Sequence, residues 1–501
     1  MIDKIFKLGK ETVIYGLSTV LGRLLNFLIV PLYANVLTPA ENGIISNIYA
    51  YIAFAFIIFC YGMEPAYMRF VSSLENGDKK QNFSIPFISL FITSLTFALA
   101  INFSSVQLAS LIDIGIDQHQ FIRYAGWILC FDTLTIIPFA SLRMEHKAKR
   151  FASLKLLNIL SNLLFNLILI LGFGMHAEGV LLANLLASII TFVGVFNLVL
   201  KHLTLQLSLN HYWQILKFGL PYIPAGLAGI AMQVIDRPIV KALTDDATLG
   251  IYQINHRLGI FMMLIVGMFD YAWRPFFLNH AKDPDAKPLF SKVFTYFSLA
   301  AMSIFIFVSL FIEDLVRVKL FDKYFIPPLY WYGLEIVPFI LLAYIFTGAY
   351  VVFVVGVYLE KKTKYLPLIS GTGALLNVGA NFILIPVFGI LGAAFSMLSS
   401  YLVMAVGMYI TSQKCYKIEY EWAKVLKIGG TGIGIFILYR LIHPVPLEFI
   451  GIMEKIILIV AFGFALLLIK VIERKEIIAF KSLILKLAQR KNDTTVSEVS
   501  A

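Results

Sequence analysis

The sequence predicts an all-α polytopic membrane protein of about 14 transmembrane helices, arranged as two pseudo-symmetric six-helix lobes followed by two C-terminal helices. Three observations predict this class. The 501 residues are 59% hydrophobic and only 14% charged, a balance outside the range of soluble globular chains. The cations fall in short loops between apolar stretches, crowded in alternate loops. Motifs of the first half return in the second at nearly constant spacing.

Taken in order, residues 1–11 (MIDKIFKLGKE) set Ile2, Ile5, Phe6 and Leu8 against Lys4, Lys7 and Lys10, the pattern of a cytoplasmic interfacial helix resting on lipid. No apolar core with a small-residue cleavage site follows, so a cleaved signal peptide is not expected. A hydrocarbon core of about 30 Å takes roughly 20 helical residues. On that length the N-lobe, 12–200, holds spans at 12–35, 44–68, 83–106, 121–142, 152–173 and 178–200. The C-lobe, 201–412, holds spans at 215–240, 248–272, 289–312, 333–357, 365–387 and 389–412. Residues 413–472 carry two more, at 424–442 and 450–472, and 473–501 form a basic amphipathic helix with a polar tail.

An even count of spans puts both termini on one side. The loops of that side hold 31 of the 41 Lys and Arg against six in the opposite loops, with Arg23, Arg123, Arg237 and Arg257 in or beside spans. One missed or invented helix in mid-chain would scramble this division, so the positive-inside rule places both termini in the cytoplasm. The same distribution argues against a nucleic-acid partner, which would require a continuous basic face. The outer loop EDLVRVKLFDKYFIPPLYWYG is the exception, and its prolines and aromatics predict an ordered interfacial segment. Cys60, Cys130 and Cys415 form no CxxC pair, and neither a disulfide, a metal site nor a cofactor is expected.

The repeats can be followed residue by residue. FGLP at 218–221 answers YGLS at 15–18, so that Gly219 corresponds to Gly16, and Gly250 corresponds to Gly43. Asn377 and Asn381 repeat Asn162 and Asn166 at an offset of 215, followed by FILIPVFGILGAA against LILILGFGMHAEGV. An even number of crossings separates the halves, so they are parallel repeats.

Asn158, Asn162 and Asn166 recur every fourth residue and share a helix face, as do Asn377 and Asn381. Amides at such positions serve either as glue between membrane helices or as contacts to a polar substrate. Arg23, flanked by Ser18, Thr19 and Asn26, cannot shed its proton, and neither can Arg257 or Arg237. Each either pairs with an acid such as Glu64 or Asp236, or lines an aqueous chamber that receives an anion. A guanidinium presents two parallel donors that suit a diphosphate. Glu64, Asp132, Asp236, Asp270 and Glu335 lie in or near spans and read either as counter-ions or as ion-coupling groups. No nucleophile motif, phosphate loop or large outer domain points to an enzyme.

YGLSTVLGRLLNFLIVPLYANVLTPAENGIISN, FGLPYIPAGLAGIAMQVIDRPIVKALTDDATLGIYQ and NVGANFILIPVFGILGAAFSML resemble the Wzx-type polysaccharide flippases, with PLYANVLTPAENG the most diagnostic turn. These form the polysaccharide transporter branch of the multidrug/oligosaccharidyl-lipid/polysaccharide exporter superfamily, which also holds the MATE drug exporters and the lipid II flippase. The resemblance covers residues 8–412. It implies two lobes around a cavity open alternately to either side of the bacterial inner membrane, carrying an undecaprenyl-diphosphate-linked glycan for O-antigen, capsule or exopolysaccharide synthesis. It further implies a gradient of H+ or Na+ as the drive, membrane lipid as surroundings, and a polysaccharide polymerase and chain-length regulator as partners. Its cavity arginines map to Arg23 and Arg257. The competing readings are a MATE-type drug exporter, a lipid II flippase, a membrane enzyme and a scaffold without transport.

Overall fold

The computed structural model describes residues 25, 27–73, 78–320, 322–442 and 445–470. The expected surface helix at 1–11, most of the first span with Arg23 and Asn26, and the tail at 473–501 lie outside them. Among the described residues the chain is helical except for a two-residue hairpin, Lys319–Leu320 with Lys323–Tyr324. Thirteen helices are long and apolar enough to cross a membrane. Each overlaps one of the expected spans two to fourteen; the first falls largely outside the described residues.

The helices of the first half are α1 (Val30–Val36), α2 (Pro39–Cys60), α3 (Met63–Ser73), α4 (Lys79–Phe103), α5 (Ser105–Leu111), α6 (His119–Met144), α7 (Ala148–Asn166) and α8 (His176–His202). The seventh and eighth spans are both interrupted. They comprise α9 (Leu209–Gly219), α10 (Tyr222–Val234) and α11 (Asp236–Leu243), then α12 (Asp246–Leu258) and α13 (Ile260–His280). The remaining helices are α14 (Ala286–Arg317), α15 (Val337–Phe353), α16 (Val355–Leu359), α17 (Tyr365–Phe388), α18 (Ile390–Cys415), α19 (Trp422–Ile442) and α20 (Phe449–Leu468).

The chain divides into two compact units, Met1–Ala281 with Val318–Lys417, and Lys282–Arg317 with Ile418–Ala501. In the first unit, α2 starts from a capping box: Thr38 accepts from the Glu41 amide while Glu41 reaches back to Thr38, with Pro39 opening the first turn. It stops at Tyr61 and Gly62, both at positive φ, and the chain re-enters α3 at a new angle. Gly62 is required there twice over, because a Cβ would also stand 2.0 Å from the Gly219 carbonyl oxygen. That contact seats α9 on α3, where Ile215 joins a core of Tyr67, Phe83, Leu90 and Ile137. The seventh span thus begins against first-half helices, and its later pieces α10 and α11 pack on both α2 and α17.

At the opposite end of the bundle, α2 meets α12 backbone to backbone. A Cβ on Gly43 would lie 1.8 Å from the Asp246 carbonyl oxygen, and one on Gly250 would lie 1.9 Å from that of Pro39. Small residues let membrane helices approach this closely, and the approach supplies the packing energy that lipid-solvated apolar side chains do not. The segment predicted to be ordered bridges the same helices. Tyr330, in the 3-10 turn Pro328–Ile336, receives the Asn42 amide on its hydroxyl at 2.9 Å and the Asn255 amide on its carbonyl at 2.9 Å. The hairpin before it is tied to Asn35, whose amide reaches the Tyr324 carbonyl at 2.9 Å.

In the second unit the ninth span groups with the last two. Met302 of α14 fills the notch at Gly432 of α19, where a Cβ would stand 2.4 Å from the Met302 Cγ. Glu421 receives the Thr295 hydroxyl at 2.7 Å and Lys424 at 2.9 Å. Asp314 accepts from the Leu447 amide at 2.8 Å and from the wholly buried Lys455 at 2.6 Å. A pair this dry survives because each charge answers the other; removing one partner alone leaves an uncompensated ion.

Candidate functional site

The first unit encloses a cavity of about 980 Å³, lined by both halves of the chain. Spans seven and eight put charge on it. α11 begins at Asp236, whose carboxylate sits in its first turn, after Ile235, which keeps helical dihedral angles and bonds the Ala231 carbonyl. Arg237 follows it onto the cavity wall. Arg257 occupies the last turn of α12, before the interruption at Gly259, where the free carbonyls favour a cation. Its guanidinium lies 5.7 Å from the centre of the Tyr33 ring.

Neither Arg237 nor Arg257 has an ion-pair partner among the described residues. The two guanidiniums lie within electrostatic range of each other. Asp236 does not clasp its neighbour; it accepts the Tyr252 hydroxyl. Asp270 also reaches the cavity, but Arg274 holds it through two parallel bonds of 2.8 and 3.0 Å. Two arginines and two aspartates therefore line the space, and the balance tips positive because Arg274 already answers Asp270.

The other acids stand elsewhere. Glu64 pairs with Arg143, away from the cavity wall. Asp132 of α6 lies in the field of Lys155 of α7, whose ammonium sits 4.4 Å over the Phe139 ring. Arg23 and Asn26 lie outside the described residues.

The asparagine faces repeat in detail. Asn166 donates to the Asn162 carbonyl and side-chain oxygens at 2.8 and 3.1 Å; Asn381 donates to those of Asn377 at 2.8 and 3.0 Å. Asn158, Asn162 and Asn377 line the cavity, while Asn166 and Asn381 are fully buried. Asn158 bonds across to Thr191 of α8 at 2.8 Å, so this amide joins two helices and borders the cavity at once.

Sequence reasoning missed several lining groups. Ser46 and Gln253 each follow a repeated glycine by three residues, a signal visible once Gly43 and Gly250 are paired. Tyr49, which receives the Asn184 amide at 2.8 Å, and Tyr344 and Tyr401 lay within apolar spans and looked like packing.

The first unit is a bundle of apolar helices around a charged, amide-lined cavity. The chain belongs to the polysaccharide biosynthesis protein family, whose model matches residues 32–326, more than half its length. A search of curated proteins returned no match. Among solved structures it is similar to the lipid II flippase MurJ in its inward closed conformation, with a TM-score of 0.71 at 15% identity over 90% of this chain and 98% of that one. An inward-facing multidrug resistance MATE family transporter of the MOP superfamily gives 0.63 at 13% identity over 78% and 94%. The Vibrio cholerae MATE transporter VcmN, as a D35N mutant, gives 0.56 at 14% over 82% and 96%. At these identities the likeness establishes the fold, which is that of flippases and transporters of this superfamily.

Proposed function

We propose that the protein is a flippase that carries an undecaprenyl-diphosphate-linked oligosaccharide repeat unit across the bacterial inner membrane for surface polysaccharide synthesis. The observation that carries this reading is the pair of cavity arginines, Arg237 and Arg257, without a carboxylate partner among the described residues. An arginine held in a membrane without a counter-ion is costly. A diphosphate offers that counter-ion in bidentate form. The lipid tail stays in the bilayer while the diphosphate and sugars, which hydrocarbon would penalise heavily, pass through the polar cavity.

In this reading the cation-rich loops and both termini face the cytoplasm, and the Tyr330 segment faces outward. Transport proceeds by alternating access. Release outside follows from weaker hold on the diphosphate in the outward state, since a ligand shifts populations only through differential affinity. A gradient of H+ or Na+ supplies the drive, with Asp236 as the cavity acid that Arg274 does not hold. A polymerase and a chain-length regulator take the product onward, and no chemical step belongs to this chain.

The test is reconstitution in vesicles with a fluorescent undecaprenyl-diphosphate oligosaccharide, following headgroup accessibility with and without an imposed pH or sodium gradient. Gradient-dependent exposure of the headgroup is the expected result. Equal activity on lipid II in the same vesicles would reassign the substrate to a peptidoglycan precursor. Movement of an organic cation but not of the lipid would make the protein a drug exporter.

A further inference from the structure

The crossing of α2 and α12 is a local two-fold contact. Pro39 and Asp246 are 207 residues apart, as are Gly43 and Gly250, and the contacts are reciprocal: Gly43 meets Asp246, and Gly250 meets Pro39. One turn farther along each helix, at the same offset, stand Ser46 and Gln253. Spacing of three keeps them near the glycine faces, so they flank the seam just past the closest approach.

Both side chains border the cavity. Both belong to nearly inaccessible residues, 2% and 5% exposed. Yet the Ser46 Oγ and the Gln253 Oε1 have no hydrogen-bond partner among the described residues. Serines in these helices usually satisfy themselves: Ser396 and Ser400 bond the carbonyl four residues back at 2.8 and 2.7 Å. Ser46 does not. Other buried polar atoms, those of Ser291 and Ser309 among them, are left over elsewhere, but Ser46 and Gln253 are the ones that also line the cavity, where a ligand can supply the partner. Here two such atoms, one from each half, share a seam at the cavity's edge.

Resting on the flippase reading above, we infer that Ser46 and Gln253 form a sugar-hydroxyl subsite on the cavity wall beside the α2–α12 seam. A hydroxyl is the complementary group, since it donates to the Gln253 carbonyl oxygen and accepts from, or donates to, the Ser46 hydroxyl. Position along the helix identifies the ring. Gln253 lies one turn from Arg257, about 6 Å at 1.5 Å per residue, so a diphosphate on Arg257 presents its first sugar to the seam. Tyr49 and His256, one turn nearer the arginine and again 207 apart, flank the path between them.

The experiment uses the full-length protein in detergent with two probes, undecaprenyl diphosphate and the same lipid bearing one hexose. The native protein is expected to bind both, the hexosyl lipid more tightly. The double variant Ser46→Ala with Gln253→Leu is expected to weaken hexosyl-lipid binding about tenfold, as when a site built for a hydroxyl loses its partners. Binding of the bare lipid is expected to stay within about twofold. Each single variant, measured the same way, serves if the double variant does not accumulate. Equal binding of the two lipids by the native protein, or equal losses for both in the variants, overturns the subsite and leaves the arginine reading standing. Failure of the native protein to bind either lipid overturns both.

Discussion

The two halves of the chain share a backbone plan but distribute hydrogen bonds and charge differently. In the first half the asparagine ladder is closed: the Asn166 side-chain oxygen takes the Tyr33 hydroxyl at 2.8 Å, and Asn158 bridges to Thr191. In the second half the counterpart of Tyr33, 203 residues on, is Asp236, which turns to Tyr252, and the buried Asn381 oxygen has no hydrogen-bond partner among the described residues. The counterpart of Asn158 is Gly373, where a Cβ would stand 2.4 Å from the Met404 Cγ. Even the helix ends differ. The fifth span unwinds through a π turn at Leu167–Gly172, whereas the eleventh keeps its helix past Pro386 to Gly389 at positive φ. Duplication thus repeated the scaffold, while spans seven and eight bring Arg237 and Arg257, without an ion-pair partner among the described residues, to the cavity of the second copy.

If that asymmetry is functional, removing the second half's cations has the largest effect. Arg237→Ala with Arg257→Ala is expected to reduce lipid transport in vesicles by more than about a hundredfold, the loss of two charge-assisted bidentate contacts. Arg→Lys at both sites should retain part of the activity, and protein level should stay normal. Full transport by the alanine variant would show that the arginines are structural. Gly43→Val comes next, because its side chain has to displace the Asp246 backbone; overpacking of this kind costs about 1–3 kcal/mol. A lower melting temperature in detergent is the readout.

Asn166→Leu and Asn381→Leu then compare the ladders directly. The first breaks a satisfied network, strands the Tyr33 hydroxyl and should cost about 1–3 kcal/mol of stability. The second removes an already unpartnered oxygen and should cost less, about 1 kcal/mol. Equal melting shifts would mean the two ladders do the same job. The smallest effect belongs to the first half's loop. Burial opposes the Glu145 charge, but a hydrogen bond from Lys147 and the nearby His202 together hold its carboxyl below the ordinary glutamate range. Its stabilisation is present above the unfolded-state value and fades as pH falls through the lower folded value. Solvent screening keeps it under about 1 kcal/mol. Glu145→Gln should flatten the acid side of the melting curve slightly and leave transport unchanged.

Much of the scaffold was legible because hydropathy and loop charge are local or additive: the spans from 44–68 onward each found a helix, and the asparagine spacing carried through to matching bonds. The helix breaks were less legible. The one mark of the division at Ile235 in FGLPYIPAGLAGIAMQVIDRPIVKAL is Pro238, which has no N–H to bond the carbonyl of Val234, the residue that ends α10, but it does not say which way Asp236 and Arg237 then face. Pairings across distant segments were hidden. Glu64 pairs with Arg143, 79 positions away, whereas Asp270 and Arg274, four apart on one helix, follow a spacing that a sequence does show. The ninth span gave no sign that it would group with the last two, because Asp314 and Lys455 are 141 positions apart.

Tyr330 staples α2 to α12 through a segment that, in the proposed orientation, faces the outside world. Its own ring is hidden, but Leu329 and Tyr332 on either side are 61% and 56% exposed. If the proposed orientation and function hold, a ligand that grips those neighbours from the outer face holds α2 against α12 without entering the cavity, and transport in vesicles with that face outward is expected to stop.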